Sequence, residues 1–72
     1  IDAFFIENGK IVLIDYKTDF VKTEEELRIK YTKQLQIYQL ALERGFNLPV
    51  SEMYLYSFVL GKTVSVPIVS VK

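Results

Sequence analysis

The chain contains no cysteine and no histidine. Without cysteine there is neither a disulfide frame nor a thiolate zinc site. Without histidine the usual general base, the Ser-His-Asp triad and the imidazole metal ligand are all excluded. A metal held by these residues must be held by oxygen, which selects a hard cation such as Mg²⁺, Mn²⁺ or Ca²⁺. An excess of positive charge is also missing, since nine Lys and Arg balance nine Asp and Glu. A nucleic-acid-binding domain usually shows a basic footprint, so a chain of this balance acting on DNA would need most of its phosphate grip from elsewhere. No apolar stretch approaches the ~20 residues of a membrane span, and nothing reads as a secretory signal.

What is there is globular: 50% hydrophobic and 25% charged residues over 72 positions. That composition argues against disorder. A domain this short buries only about 60% of the surface its unfolded chain exposes, so it is marginal alone. No repeat, linker or low-complexity segment divides it, and residues 1–72 are expected to form a single domain. The start at Ile1, without methionine, reads as a piece of something longer.

Two β-prone runs, Ala3 to Glu7 and Lys10 to Tyr16, flank Asn8-Gly9. Asn-Gly is the strongest short hairpin signal because both turn residues take positive φ. Lys17 to Lys22 reads as a loop. Thr23-Glu24-Glu25-Glu26 forms a capping box whose acidic residues suit the positive end of a helix dipole. Leu27, Tyr31, Gln34, Leu35, Tyr38 and Leu42 recur at helical spacing, and Gly45 is a natural stop, predicting a helix over roughly 24–44. Val50 to Leu60 reads as a strand, Gly61-Lys62 as a second turn of Gly-X type, and Thr63 to Val71 as a last strand. Pro67 places that strand at an edge. The order is β-β-α-β-β, and the strand-helix-strand unit implies a right-handed crossover between parallel strands.

The hairpin register carries the chemistry. With Asn8-Gly9 as turn residues, paired numbers sum to 17, so Asp15 lies across from Asp2. Opposed Cβ atoms on one sheet face are ~4.5–5.5 Å apart. Strand alternation puts Lys17 on the same face, with Phe4, Ile6, Ile11 and Leu13. Like charges directly opposite destabilise a strand pair. Lys17 can offset one charge, and a divalent cation could balance both carboxylates. The Tyr16 carbonyl, between Asp15 and Lys17, can supply a further oxygen. Mg²⁺ prefers one or two carboxylates plus waters and substrate phosphate. Such an ion lowers the pKa of bound water and neutralises a phosphodiester transition state, while Lys17 can stabilise developing charge. Two readings stand on geometry alone: charges flanking the end of a strand, or a metal cage. Gln34 and Tyr38, at i and i+4, share a helix face and read either as packing residues or as residues bordering the site. Lys30 and Lys33 are most simply solvated.

Asp2, followed thirteen positions on by Asp15-Tyr16-Lys17, resembles the D…(D/E)-x-K core of PD-(D/E)xK nucleases. The string Ile14-Asp15-Tyr16-Lys17-Thr18-Asp19 resembles the DYKTD signature of RecB/AddA-type nuclease domains, and Gln34-Leu35-Gln36-Ile37-Tyr38 resembles the Q-x-x-x-Y motif on their following helix. The likeness spans residues 1 to about 60. D-x-K alone is weak, but its combination with the upstream Asp and the helical motif is specific. The resemblance implies an α/β fold, a truncated restriction-endonuclease-like core with one long helix on a mixed sheet. It implies a Mg²⁺-dependent (or Mn²⁺-dependent) DNA exonuclease module of an ATP-dependent helicase–nuclease in double-strand-break repair and recombination. Asp2, Asp15, Lys17, Gln34 and Tyr38 are then the catalytic set, with Asp2, Asp15 and Tyr16 on the metal. DNA and a second helicase–nuclease subunit are the implied partners, in the bacterial cytoplasm. The family's upstream helix, strand and additional acidic or histidine ligand are not in this sequence, so the fragment is expected to be a weak enzyme by itself. Two rivals remain: another nuclease of the superfamily, phage or CRISPR-associated, and a non-catalytic interaction domain with a decayed site.

Overall fold

The computed structural model describes residues 2–69. Strand β1 (Ala3–Glu7) turns through Asn8-Gly9 into β2 (Lys10–Lys17), helix α1 (Glu24–Phe46) follows, and β3 (Val50–Ser57) and β4 (Lys62–Val66) complete the order β-β-α-β-β. Asn8 and Gly9 take φ of 52° and 71°, the positive values that a twist-matched two-residue hairpin demands. The register follows: Glu7 faces Lys10 and Ala3 faces Ile14. β2 runs parallel to β3, with Asp15 beside Leu55 and Lys17 beside Ser57. β3 runs antiparallel to β4, and the sheet order is β1-β2-β3-β4. The fold is therefore α/β, a mixed sheet with one long helix.

Four boundaries differ from the sequence reading. β2 continues through Lys17 because parallel pairing with β3 extends to Ser57. The helix does not stop at Gly45. It runs to Phe46, and Asn47 caps it in the left-handed region at φ 54°, ψ 39°, a conformation that Asn tolerates among non-glycine residues. β3 ends at Ser57, three residues early. The Ser57 hydroxyl accepts from the Leu60 N–H at 3.0 Å and its carbonyl from the Gly61 N–H at 2.8 Å. These bonds close a turn over 58–61 in place of a Gly-X pair, with Gly61 at φ 68° and Lys62 already in β4. The last strand ends at Val66, just before Pro67; its expected reach to Val71 lies outside the described residues beyond position 69.

At the helix start, the Thr23 hydroxyl accepts from the Glu26 N–H at 3.1 Å, and the Glu26 carboxylate accepts from the Lys22 N–H at 2.8 Å. The box thus reaches one residue further back than expected. One face of the sheet forms the core: Ile11 and Leu13 of β2, Met53 and Leu55 of β3, Val64 and Val66 of β4, closed by Leu27 and Leu35 of α1. The helix contacts β3 and β4 rather than lying over β1, so Phe4 and Ile6 stay 39% and 49% exposed. At the helix end the Phe4 ring meets Phe46, centroids 5.3 Å apart.

Candidate metal centre

The end of β2 delivers the charged groups. Alternation that buries Ile11 and Leu13 also turns Asp15 under the helix side of the sheet, where it is 4% exposed. Lys17 follows on the same face, and its Nζ lies 3.0 Å from Asp15 Oδ2, the two side chains 16% and 6% exposed. Asp2 sits just ahead of β1, opposite Asp15 by continuation of the hairpin register. Its Oδ2 accepts the Tyr16 backbone N–H at 2.7 Å. That bond fixes the direction of the Asp2 carboxyl.

So held, Asp2 comes within hydrogen-bonding reach of the Asp15 carboxyl. The Asp15 hydrogen bond, then the Tyr16 amide, hold the Asp2 carboxyl below the usual carboxylate range; the Lys17 charge acts in the same direction. Two carboxylates accept and cannot donate, so a cation between them would balance both charges. Successive strand residues alternate their backbone groups between neighbours, and one residue's N–H and C=O point the same way. The Lys17 carbonyl accepts the Phe58 N–H on the β3 side. Tyr16, whose N–H meets Asp2, therefore aims its carbonyl toward the Asp2 side. Two carboxylates and a carbonyl would offer an ion only hard oxygens, the kind that Mg²⁺ or Mn²⁺ takes together with water. Among the described residues no group of three or more acidic, His or Cys side chains converges, here or elsewhere.

The other sequence candidates lie apart from this pair. Gln34 is exposed and Tyr38 half-buried against the core. Among the described residues neither makes a side-chain hydrogen bond to Asp2, Asp15 or Lys17. Their spacing sets them on the flank of α1 away from Arg28 and Gln39, the side chains that reach β4 and the segment after it.

Sequence reasoning missed the residues on the other side of Lys17. The Lys17 Nζ lies 4.0 Å from the centre of the Tyr31 ring. The Tyr31 hydroxyl donates to Asp19 Oδ2 at 2.6 Å, and Lys30 Nζ donates to the same oxygen at 2.6 Å. Lys30 is thus ion-paired rather than merely solvated. Neighbouring Lys30 and Tyr31 on the helix that follows an acidic loop were the available signal, but no spacing rule links a loop to a helix face.

The sequence profile of the PD-(D/E)XK nuclease superfamily matches residues 1–68. The chain belongs to the PD-(D/E)XK nuclease superfamily. Its relatives include an ATP-dependent helicase/nuclease subunit of Clostridium acetobutylicum, 46% identical over 68 residues, covering 92% of this chain and 5% of the relative. The proteins of the same description from Clostridium botulinum and Streptococcus pyogenes are 45% identical over 64 and 62 residues, covering 89% and 86% of this chain and again 5% of each relative. The chain thus spans about one-twentieth of the length of the curated relatives it matches. No solved structure matches it. In this PD-(D/E)XK chain the carboxylates and lysine of the D…DYK pattern are the ones that β1, β2 and the Asn-Gly turn bring together.

Proposed function

We propose that this chain is the metal-binding part of a nuclease that hydrolyses DNA phosphodiester bonds. The observation that carries the proposal is the Asp15–Lys17 ion pair at the end of β2, with the Asp2 carboxyl fixed by the Tyr16 amide across the hairpin from it. Asp2, Asp15 and the Tyr16 carbonyl would hold Mg²⁺ or Mn²⁺. Bound there, the ion would activate water and offset charge on the scissile phosphate. Asp2 and Asp15 keep the site anionic and oriented, the Tyr16 N–H locks the Asp2 carboxyl in place, and Lys17 directs its N–H donors at the attacking water or a phosphate oxygen. Gln34 and Tyr38 border the path of the substrate on the flank of the helix. The open sheet face over β1 gives DNA room to approach.

The matched relatives, named as helicase/nuclease subunits, support a fuller reading. The chain would be the exonuclease module of an ATP-dependent helicase–nuclease in double-strand-break repair and recombination, working with a second subunit in the bacterial cytoplasm. The rival is a domain that keeps the fold but no longer binds metal.

Mn²⁺ titration separates the two. A metal that binds only the folded chain stabilises it by RT ln(1 + [Mn²⁺]/Kd), about 1.4 kcal/mol at ten times Kd. In a domain of this size that is a rise of roughly 6–11 °C in Tm. Thermal melts followed by circular dichroism should show the rise in wild type and lose it in Asp15→Asn. No rise in the wild type sinks the metal reading. In a helicase–nuclease carrying this segment, Asp15→Ala or Lys17→Ala should abolish cleavage and spare unwinding.

A further inference from the structure

The Lys17 ammonium sits between two unlike groups. On one side is the Asp15 carboxylate at 3.0 Å; on the other is the face of the Tyr31 ring at 4.0 Å. A lysine at a strand end ordinarily extends its stem and carries its head into water, yet this side chain is 16% exposed. The ring accounts for that. It attracts the cation through its quadrupole without adding a second carboxylate, so the ammonium is confined but not neutralised. The ring is itself tethered: its hydroxyl donates to Asp19 at 2.6 Å, and Lys30 clamps Asp19 from outside at 2.6 Å. Leu35, one turn further along that helix stripe, is fully buried and fixes the rotation of α1.

We propose that Tyr31 is a positioning residue for Lys17, a wall that holds the ammonium against Asp15, and that Asp19 in the loop after β2 orients that wall. The inference rests on the nuclease reading for its consequence, but the geometry can be tested without any cleavage. Tyr31 touches neither metal nor substrate in this scheme and acts through Lys17. A lysine is a flexible point charge, and small misplacements at a reacting centre are costly, up to ~100-fold for about 1 Å. Loss of the wall should therefore lower turnover while leaving substrate affinity in place.

Two measurements test the proposal. Proton NMR of the 72-residue chain should show the Lys17 ε-methylene displaced upfield by the ring, relative to the other lysines. Tyr31→Phe keeps the ring but loses its hydroxyl bond to Asp19, so it diminishes the displacement without abolishing it. Tyr31→Leu abolishes it. Asp19→Asn diminishes it, and as a substitution at the surface it serves where Tyr31→Leu fails to fold. A Lys17 signal unchanged in Tyr31→Leu, or in Asp19→Asn where the leucine variant does not fold, overturns the proposal. The second measurement is DNA cleavage by a helicase–nuclease carrying this segment. Tyr31→Leu should reduce kcat about 10- to 100-fold with KM unchanged, and Tyr31→Phe, which keeps the ring but not the Asp19 tether, should lose less. If Lys17→Ala abolishes cleavage while Tyr31→Leu cleaves at the wild-type rate, the wall is irrelevant to catalysis and the proposal falls. If Lys17→Ala itself cleaves normally, it is the nuclease assignment of Lys17 that fails, and the NMR displacement still decides whether Tyr31 positions it.

Discussion

Asp19 shows how one half-buried carboxylate can organise its surroundings. Its carboxyl is held below the usual range, first by the Lys30 hydrogen bond and then by that of Tyr31. The same contacts act in reverse on the partners: the Asp19 hydrogen bond raises both the Lys30 ammonium and the Tyr31 phenol. A lowered carboxylate stabilises the fold above its unfolded value of about 4 and loses that contribution as pH falls through the folded value. A raised lysine or tyrosine contributes fully below its unfolded value of about 10 and loses that contribution as pH rises through the folded value. The cluster should therefore give a plateau in Tm between those limits, falling on both sides. Asp19→Asn should lower the plateau and flatten the acid limb relative to wild type in a pH series of melts. An unchanged acid limb would show that this cluster does not couple folding to protons. None of this was legible beforehand, whereas the hairpin register that sets Asp2 across from Asp15 was. A two-residue turn fixes register, and alternation fixes the face, so local rules reach across that hairpin. Asp19 and Tyr31 meet only because α1 docks with a particular rotation, which tertiary packing decides.

The same rotation explains what happened to the glutamines of α1. The helical pattern pointed to Gln34 as the polar residue facing the sheet, but the buried one is Gln39, 1% exposed. Five residues on a helix are about 140° apart, so the two cannot share a role. With Leu27 and Leu35 turned into the core, the flank bearing Arg28, Gln36 and Gln39 meets the free edge of β4 and its continuation. Arg28 Nε donates to the Ser65 carbonyl at 2.8 Å and Gln36 Nε2 to that of Pro67 at 3.1 Å. Gln39 pairs with Val69 twice, donating to its carbonyl at 2.9 Å and accepting its N–H at 2.7 Å. These side chains occupy the hydrogen-bonding positions a fifth strand would take, which protects an exposed edge. Pro67 in the sequence marked the edge; which side chains cover it depended on where the helix settled. Gln39→Leu should leave the Val69 peptide unpaired and destabilise the chain by about 1–3 kcal/mol, read from urea unfolding. The Val69 amide should exchange with solvent faster in the variant than in wild type. Wild-type exchange there would mean the pairing contributes little.

At the scale of the molecule, one helix cannot cover a four-stranded sheet. α1 closes the face over β3 and β4, and among the described residues the opposite face carries no helix. That face presents Phe5, Tyr16 and Phe58 at 47%, 46% and 58% exposure. The rings of Tyr16, Tyr56 and Phe58 form one cluster with centroids 5.1–6.2 Å apart. A contiguous apolar patch of this kind promotes association, and the chain corresponds to about 5% of its much longer relatives. Studied alone, it should bind a hydrophobic dye and sediment faster as concentration rises. The double change Tyr16→Thr, Phe58→Ser should weaken both effects. Threonine suits a strand, so the sheet should persist. The Tyr16 side chain points away from Asp15 and Lys17, and Asp2 takes only the Tyr16 backbone N–H. The Mn²⁺-induced rise in Tm should therefore survive in the double variant. If dye binding were reduced and the metal response lost together, the two faces of β2 would not be independent, and the separation of a packing face from a chemical face would be wrong. If the response persists, the carboxylate site is a property of the Asn-Gly hairpin and its backbone, carried on one side of a sheet whose other side is an unrelated apolar surface.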